Sequence, residues 1–194
     1  LDNVKVVKLL SRVIMDLAEG EIKQNLNRFD SAQTFSKYIN KSYCKTASLI
    51  ANSTKAAGVL CNLEDEKLNH LYEFGKNIGL AFQVVDDILD FTGNDKQLGK
   101  PAVSDLASGY LTAPVLYALE ENENLSVLIN RELVEKEDLN NALNIVMNSQ
   151  AIKRSRKLAE DFALQSKEAL LWLPDSEYKR ALLSLPEFVL SRLY

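Results

Sequence analysis

The segment Gly79-Leu80-Ala81-Phe82-Gln83-Val84-Val85-Asp86-Asp87-Ile88-Leu89-Asp90 sets three carboxylates inside an apolar run. Residues 71–91 contain no proline and read as one helix. Helix residues three or four apart share a face. Gln83, Asp86 and Asp90 are therefore expected on one stripe, with Asp87 beside them. Like charges at that spacing repel, more strongly when half buried, so the cluster calls for a cation. Hard oxygen donors on a rigid face suit magnesium, which one or two carboxylates usually hold together with substrate phosphates. The expected metal ligands are Asp86, Asp87 and Asp90. The plain alternative is a solvated acidic patch at a helix end. The flanking Phe82, Val84, Val85, Ile88, Leu89 and Phe91 weigh against it.

Other chemistry-bearing residues are sparse. Lys45 and Thr46 lie in the middle of a helical pattern, where a lysine is ordinarily solvated; it gains a role only if its face turns toward the acidic helix. Lys96 and Lys100 sit in the loop after the acidic helix, within reach of its Asp90 end, and loops on a rigid scaffold often carry chemistry. The single histidine, His70, is expected at or near the surface. Cys44 and Cys61 fall in helical patterns and read as reduced, small apolar residues.

The elements that must position these groups are all helical. Residues 4–26 carry Val6, Leu9, Leu10, Val13, Ile14 and Leu17 at helical spacing. Gly20 within them hints at close packing or close ligand approach, with a simply tolerated glycine the equal alternative. Thr34 or Ser36 can cap a helix over 35–61. Glu64, Asp65 and Glu66 suit the first turn of the acidic helix, and Gly93 suits its end. Ser104 or Asp105 can cap the next helix, which Thr112-Ala113-Pro114 interrupts. Further helices are expected over 124–133, 134–148, 150–172 and 176–193, the last interrupted by Pro186. Nothing alternates as a strand would, so the expected class is all-α, a single domain over residues 1–194.

Composition agrees. Of 194 residues, 46% are hydrophobic, and only 7 glycines and 4 prolines break the chain, which favours long elements around one core. A net charge of −4 gives no basic face for nucleic acid. No run of apolar residues is long enough for a transmembrane helix. The first residue is Leu1 rather than Met, and the chain is expected to be the C-terminal part of a longer protein.

Taken together, Gly79-x-x-Phe82-Gln83-x-x-Asp86-Asp87-x-x-Asp90 resembles the second aspartate-rich motif of the trans-isoprenyl (polyprenyl) diphosphate synthases. Lys45-Thr46 resembles the Lys-Thr pair of that family. Gly99-Lys100, Ser104-Asp105-Leu106 and Thr112-Ala113-Pro114 follow in family order, and residues 159–182 resemble its C-terminal helices. The match runs over nearly the whole chain and is closest in character to plant long-chain, solanesyl-type enzymes. The resemblance implies an isoprenoid synthase helical bundle around a central cavity, with its N-terminal part absent here. It implies elongation of an allylic diphosphate by isopentenyl diphosphate to a long-chain all-trans polyprenyl diphosphate. Carried over by residue, Asp86, Asp87 and Asp90 would hold Mg2+. Lys45 and Lys100 would donate to the diphosphate, and Gln83 and Thr46 would stabilise the developing cation. The released diphosphate would take the final proton, so no histidine base is needed. The family is mostly dimeric, which implies a homodimer or a heteromer with a related synthase. An intracellular, plastid or mitochondrial location follows by the same resemblance, with no transit peptide in these residues.

The sequence departs from the family at three points. It has no second DDxxD and no Arg-Arg pair, so it is expected to be inactive alone. Tyr110 stands where many members carry a lysine. Two alternatives to a truncated synthase are a non-catalytic partner subunit of a heteromeric synthase and a terpene cyclase. The retained acidic and basic residues count against the first, and the Lys-Thr pair and Gly-Lys loop against the second.

Overall fold

The computed structural model describes residues 3–93 and 103–194. Among them every regular element is a helix. In chain order these are α1 (Val4–Leu26), α2 (Phe35–Ser42), a π-helical turn (Tyr43–Ala47), α3 (Ser48–Leu60), α4 (Asp65–Thr92), α5 (Ser104–Ala107), α6 (Ala113–Glu121), α7 (Glu123–Asn130), α8 (Asp138–Asn148), α9 (Ala151–Glu168) and α10 (Glu177–Ser191).

The bundle is arranged around α4, the acidic helix. Its apolar residues are buried on several sides: Leu68, Phe74, Ile78, Ala81, Val84, Val85, Ile88 and Phe91. A helix with apolar residues on several sides must be covered on several sides, and α9, α3, the π turn and α10 are its main neighbours. Two runs of small residues permit close approach. On α9 the buried row is Ala151, Ser155, Ala159 and Ala163, one per turn. On α4 itself, a Cβ at Gly79 would lie 2.6 Å from Ala47 Cα, and one at Gly75 would lie 2.7 Å from Ala51 Cα. The π turn and α3 therefore lie almost backbone to backbone against α4.

Local chemistry sets the ends. Thr34 caps α2, its hydroxyl accepting from Lys37 N at 3.3 Å. Pro114 sits in the first turn of α6, where its missing N–H costs nothing. The expected helix over 35–61 forms as one rod, ending at Leu60, but contains the π turn. Three boundaries differ from the sequence expectation. The helix expected over 134–148 begins only at Asp138, because Glu132 and Leu133 adopt positive φ and Arg131 pairs with the buried Asp138. The helix expected to reach 172 ends at Glu168. Pro186 does not interrupt α10: its fixed φ suits a helix, and both Pro186 and Val189 are buried, so packing holds the last turn despite one lost donor. No described helix is long and apolar enough to cross a membrane. Both cysteines are free, Cys44 buried and Cys61 exposed.

Candidate active site

The π turn carries Lys45 and Thr46. Such a turn adds one residue to a helical circuit and is frequent at functional sites. Here it lies against Gly79, so Thr46 reaches the acidic helix. Its hydroxyl donates to Gln83 Oε1 at 2.6 Å. Gln83 Nε2 donates to Asp87 Oδ1 at 2.8 Å, and the Tyr38 hydroxyl donates to Asp87 Oδ2 at 2.6 Å. A carboxylate can only accept, so this chain fixes the orientation of the Gln83 amide. One lone pair of the Gln83 carbonyl is left for a further partner.

Lys45 is placed by Gly20. A Cβ at that glycine would lie 2.7 Å from Lys45 Cγ, so α1 presses on the lysine stem, and the ammonium reaches Glu21 Oε1 at 2.8 Å and Gln24 Oε1 at 2.9 Å. Close packing is thus the role of Gly20. A cavity of about 170 Å3 opens beside these groups. Gln24, Lys41, Ser42, Lys45, Gln83, Asp87, Asp105, Tyr110 and Thr112 line it. Asp87 is fully buried, and burial pushes its carboxyl up to about 6, against the lowering influence of Lys41, Tyr38 and Gln83. Burial pushes the Tyr38 phenol well up and the Lys41 ammonium down.

The three aspartates sit on one helix end but face different partners, because a helix fans adjacent positions around its axis. The expected stripe of Gln83, Asp86 and Asp90 is replaced by the i,i+4 pair Gln83 and Asp87. Asp86 turns toward the end of α10, where it accepts from Arg192 at 2.8 Å; both side chains are about one-third exposed (37% and 33%). The Arg192 guanidinium also lies 4.8 Å from the centre of the Phe82 ring. Asp90 is buried and caps α5 from a distance: its carboxylate accepts from the Ser104 hydroxyl and from Asp105 N, each at 3.1 Å. Ser104 and Asp105, expected as the cap, are thus the capped residues.

The donor set fits a hard divalent cation at one point. Asp86 offers a partly exposed carboxylate already paired with a cationic side chain, Arg192, and magnesium needs few protein ligands when phosphates complete its shell. In this arrangement Asp87 and Asp90 spend their oxygens on internal hydrogen bonds. Among the described residues, the acidic and thiol groups close enough to share an ion are instead Asp16, Glu19 and Cys44. That group has a structural role: Asp16 accepts from Arg12 at 2.8 Å and from Ser48 at 2.5 Å, and Glu19 pairs with Lys23 at 2.6 Å. Lys100 lies outside the described residues. His70 is exposed, its ring 6.3 Å from that of Trp172, and it does not line the cavity.

Sequence reasoning missed Tyr38, Lys41, Ser42, Thr112 and Arg192. The spacing of Tyr38, Lys41 and Lys45, a turn apart, was the available signal for the first two.

The family model of Polyprenyl synthetase matches residues 1–146. The chain belongs to the polyprenyl synthetase family. It is 53% identical over its full length to a prenyl transferase of Synechocystis sp. and 47% identical to the chloroplastic solanesyl diphosphate synthase 2 of Arabidopsis thaliana. It spans 60% of the length of the first and 46% of the second. Its fold is similar to that of a polyprenyl synthase from Caulobacter crescentus CB15, solved in complex with calcium and isoprenyl diphosphate. The TM-score is 0.91 and the identity 31%, over 100% of this chain and 60% of that one.

Proposed function

We propose that these residues form one wall of a prenyl-transfer site, which elongates an allylic diphosphate with isopentenyl diphosphate to a long-chain all-trans polyprenyl diphosphate. The observation that carries the reading is the gathering of Lys45, Thr46, Gln83 and Asp87 around one polar cavity, beside the accessible Asp86. The similarity to a solanesyl diphosphate synthase supports the long-chain product. The isoprenyl diphosphate and calcium of the Caulobacter relative support the substrate class and a divalent ion.

Each residue has a physical task. Lys45 donates to diphosphate oxygens as the C–O bond ionises. Gln83, held by Thr46 and Asp87, presents its carbonyl dipole to the developing allylic cation, a preorganised electrostatic stabilisation. Asp86 would hold Mg2+, joined by Asp87 and Asp90 once these release their internal hydrogen bonds. The ion supplies neutralisation of the leaving diphosphate. Lys100 is assigned the second diphosphate contact on the resemblance alone.

The chain carries one aspartate-rich motif, and it is expected to be inactive alone. Incubated with an allylic diphosphate, labelled isopentenyl diphosphate and Mg2+, it releases no elongated product; turnover would overturn the half-site reading. Its binding function is tested with a thio-analogue of geranylgeranyl diphosphate in Mg2+. Saturable binding is expected, lost in Lys45→Ala with the circular dichroism melt retained. No binding by the native chain would overturn the assignment.

A second reading is a non-catalytic partner in a heteromeric synthase. The exposed apolar row of Val7, Leu10, Ile14 and Leu17 on α1 favours it. Co-purification with a catalytically complete homologue, lost when that row is made polar, distinguishes the two.

A further inference from the structure

Two hydroxyls in the cavity wall have no hydrogen-bond partner among the described residues. Ser42 Oγ and Thr112 Oγ1 are buried, at 1% and 2% exposure, and neither meets hydrogen-bond geometry with any partner among the described residues. Buried hydroxyls are nearly always satisfied, and an orphan costs about 1–3 kcal/mol. Ser42 lies near the Tyr38 phenol and influences it, but that phenol donates to Asp87. Thr112 occupies the N-cap position of α6, the place where a threonine hydroxyl normally accepts from the helix backbone, and it does not. Both hydroxyls line the same cavity as Lys41 and Lys45, which lie one helical turn apart in the chain, and as Gln83 and Asp87. The Lys41 ammonium rests 5.3 Å from the centre of the Tyr38 ring, which aims it. The wall at 110 is a tyrosine and brings no charge. Two carboxylates, Asp87 and Asp105, also face the cavity; they balance the lysines and favour an anion that brings a divalent cation with it. The volume, about 170 Å3, corresponds to roughly six water molecules at ~30 Å3 each, room for one phosphoryl group.

We propose that Lys41, Ser42 and Thr112 form an inner phosphoryl subsite beside Lys45, which takes the oxygens of a magnesium-bound diphosphate. The subsite rests on the prenyl-transfer reading and adds to it three residues that the motifs do not name. Lys41 supplies a charge-assisted hydrogen bond; the hydroxyls supply neutral donors that have no competing partner to give up. The α6 N-terminus, opening at Thr112, adds its positive end.

The test measures binding of inorganic diphosphate in Mg2+ to the 194-residue chain by calorimetry, beside a thermal melt of each variant. Thr112→Val and Ser42→Ala remove orphan hydroxyls at nearly constant shape. Each is expected to melt at the same or a higher temperature and to bind diphosphate several-fold more weakly. A merely structural role cannot give those opposite signs. Lys41→Met keeps the stem and is expected to weaken binding about tenfold, the equivalent of ~1.4 kcal/mol; Lys41→Arg restores most of it. If Lys45→Met abolishes binding while all three of the other sites leave it unchanged, the inner subsite is overturned and the prenyl-transfer reading stands. If the native chain binds no diphosphate at millimolar concentration, both fall. Water filling alone predicts unchanged affinity throughout, which also overturns the subsite.

Discussion

Asp87 is a buried carboxylate whose environment both stabilises and penalises its charge. Tyr38 and Gln83 donate to it and Lys41 and Asp105 face the same cavity, yet burial dominates and lifts its carboxyl from 3.8 to about 6. The sign of the linkage follows. Below pH ~4 the group is neutral folded and unfolded, and it costs nothing. Between about 4 and 6 the unfolded chain loses the proton first, so stability falls as pH rises; above that window the loss is constant. In metal-free buffer, Asp87→Asn removes this dependence. Its stability relative to the native chain should improve by about 2 kcal/mol between roughly pH 4.5 and 7.5, with the lost Gln83 bond a constant offset. Urea unfolding at the two pH values measures it; a difference independent of pH would show that Asp87 is ionised in the fold. Arg192 poses a separate question on the same helix. If its guanidinium holds the place of a divalent ion at Asp86, Arg192→Ala should bind Mn2+ several-fold more tightly by electron paramagnetic resonance, and Asp86→Ala should bind none there. Equal affinity in native and Arg192→Ala chains would separate the ion pair from the metal. Because both side chains are about one-third exposed, the pair adds little to stability.

At the scale of elements, the site depends on how close α4 comes to the π turn. Gly79→Ala puts a methyl 2.6 Å from Ala47 Cα, a backbone atom that cannot swing aside. The helices must part, which should cost about 1–3 kcal/mol and stretch the Thr46–Gln83 bond. A melt lowered by several degrees, with thio-analogue binding weakened beyond what the residual folded fraction explains, is the expected pair of results; full retention of both would mean that α4 has room to shift. This dependence also explains what could and could not be read from the sequence. The helices themselves were readable because their apolar residues recur at 3.6, and α6 because Pro114 marks its first turn. Lys45, Thr46 and Gln83 were readable as candidates by residue type and order. Their meeting was not, since it needs Gly79 and the extra residue of the π turn, which rotates Lys45 and Thr46 relative to a regular helix. The direction of each aspartate was also hidden. Asp90 caps α5 from 14 and 15 positions away, and Asp86 meets a residue 106 positions further along, Arg192. Neither local propensity nor spacing encodes such contacts. Pro186 misled because burial outweighed a backbone rule.

At the scale of the whole molecule, α1 buries one face and leaves another bare. Val6, Val13, Asp16 and Gly20 pack against α3 and the π turn, whereas Val7, Leu10, Ile14 and Leu17, at spacings of three and four, are exposed together with Met15 and Ile22. Single exposed apolar residues are ordinary, but a row along three turns is a contiguous patch of the kind that marks an interaction surface. It lies on the helix that fixes Lys45 through Gly20 and Glu21, so whatever covers it also bears on the site. Without a cover, the chain should bind the dye 8-anilinonaphthalene-1-sulfonate in its native state and elute at an apparent mass that rises with concentration. Leu10→Lys combined with Ile14→Glu places opposite charges one turn apart on that face and touches no buried residue. The double variant should melt within about 1 kcal/mol of the native chain, as exposed substitutions do, while dye binding and concentration dependence fall together. Dye binding that persists in the double variant would locate the sticky surface elsewhere, for example at the exposed Leu164, Leu171 and Phe188 of the C-terminal residues. A native chain that stays monomeric and dye-free at every concentration would show that this row tolerates water, and would remove the observation that favours a partner subunit.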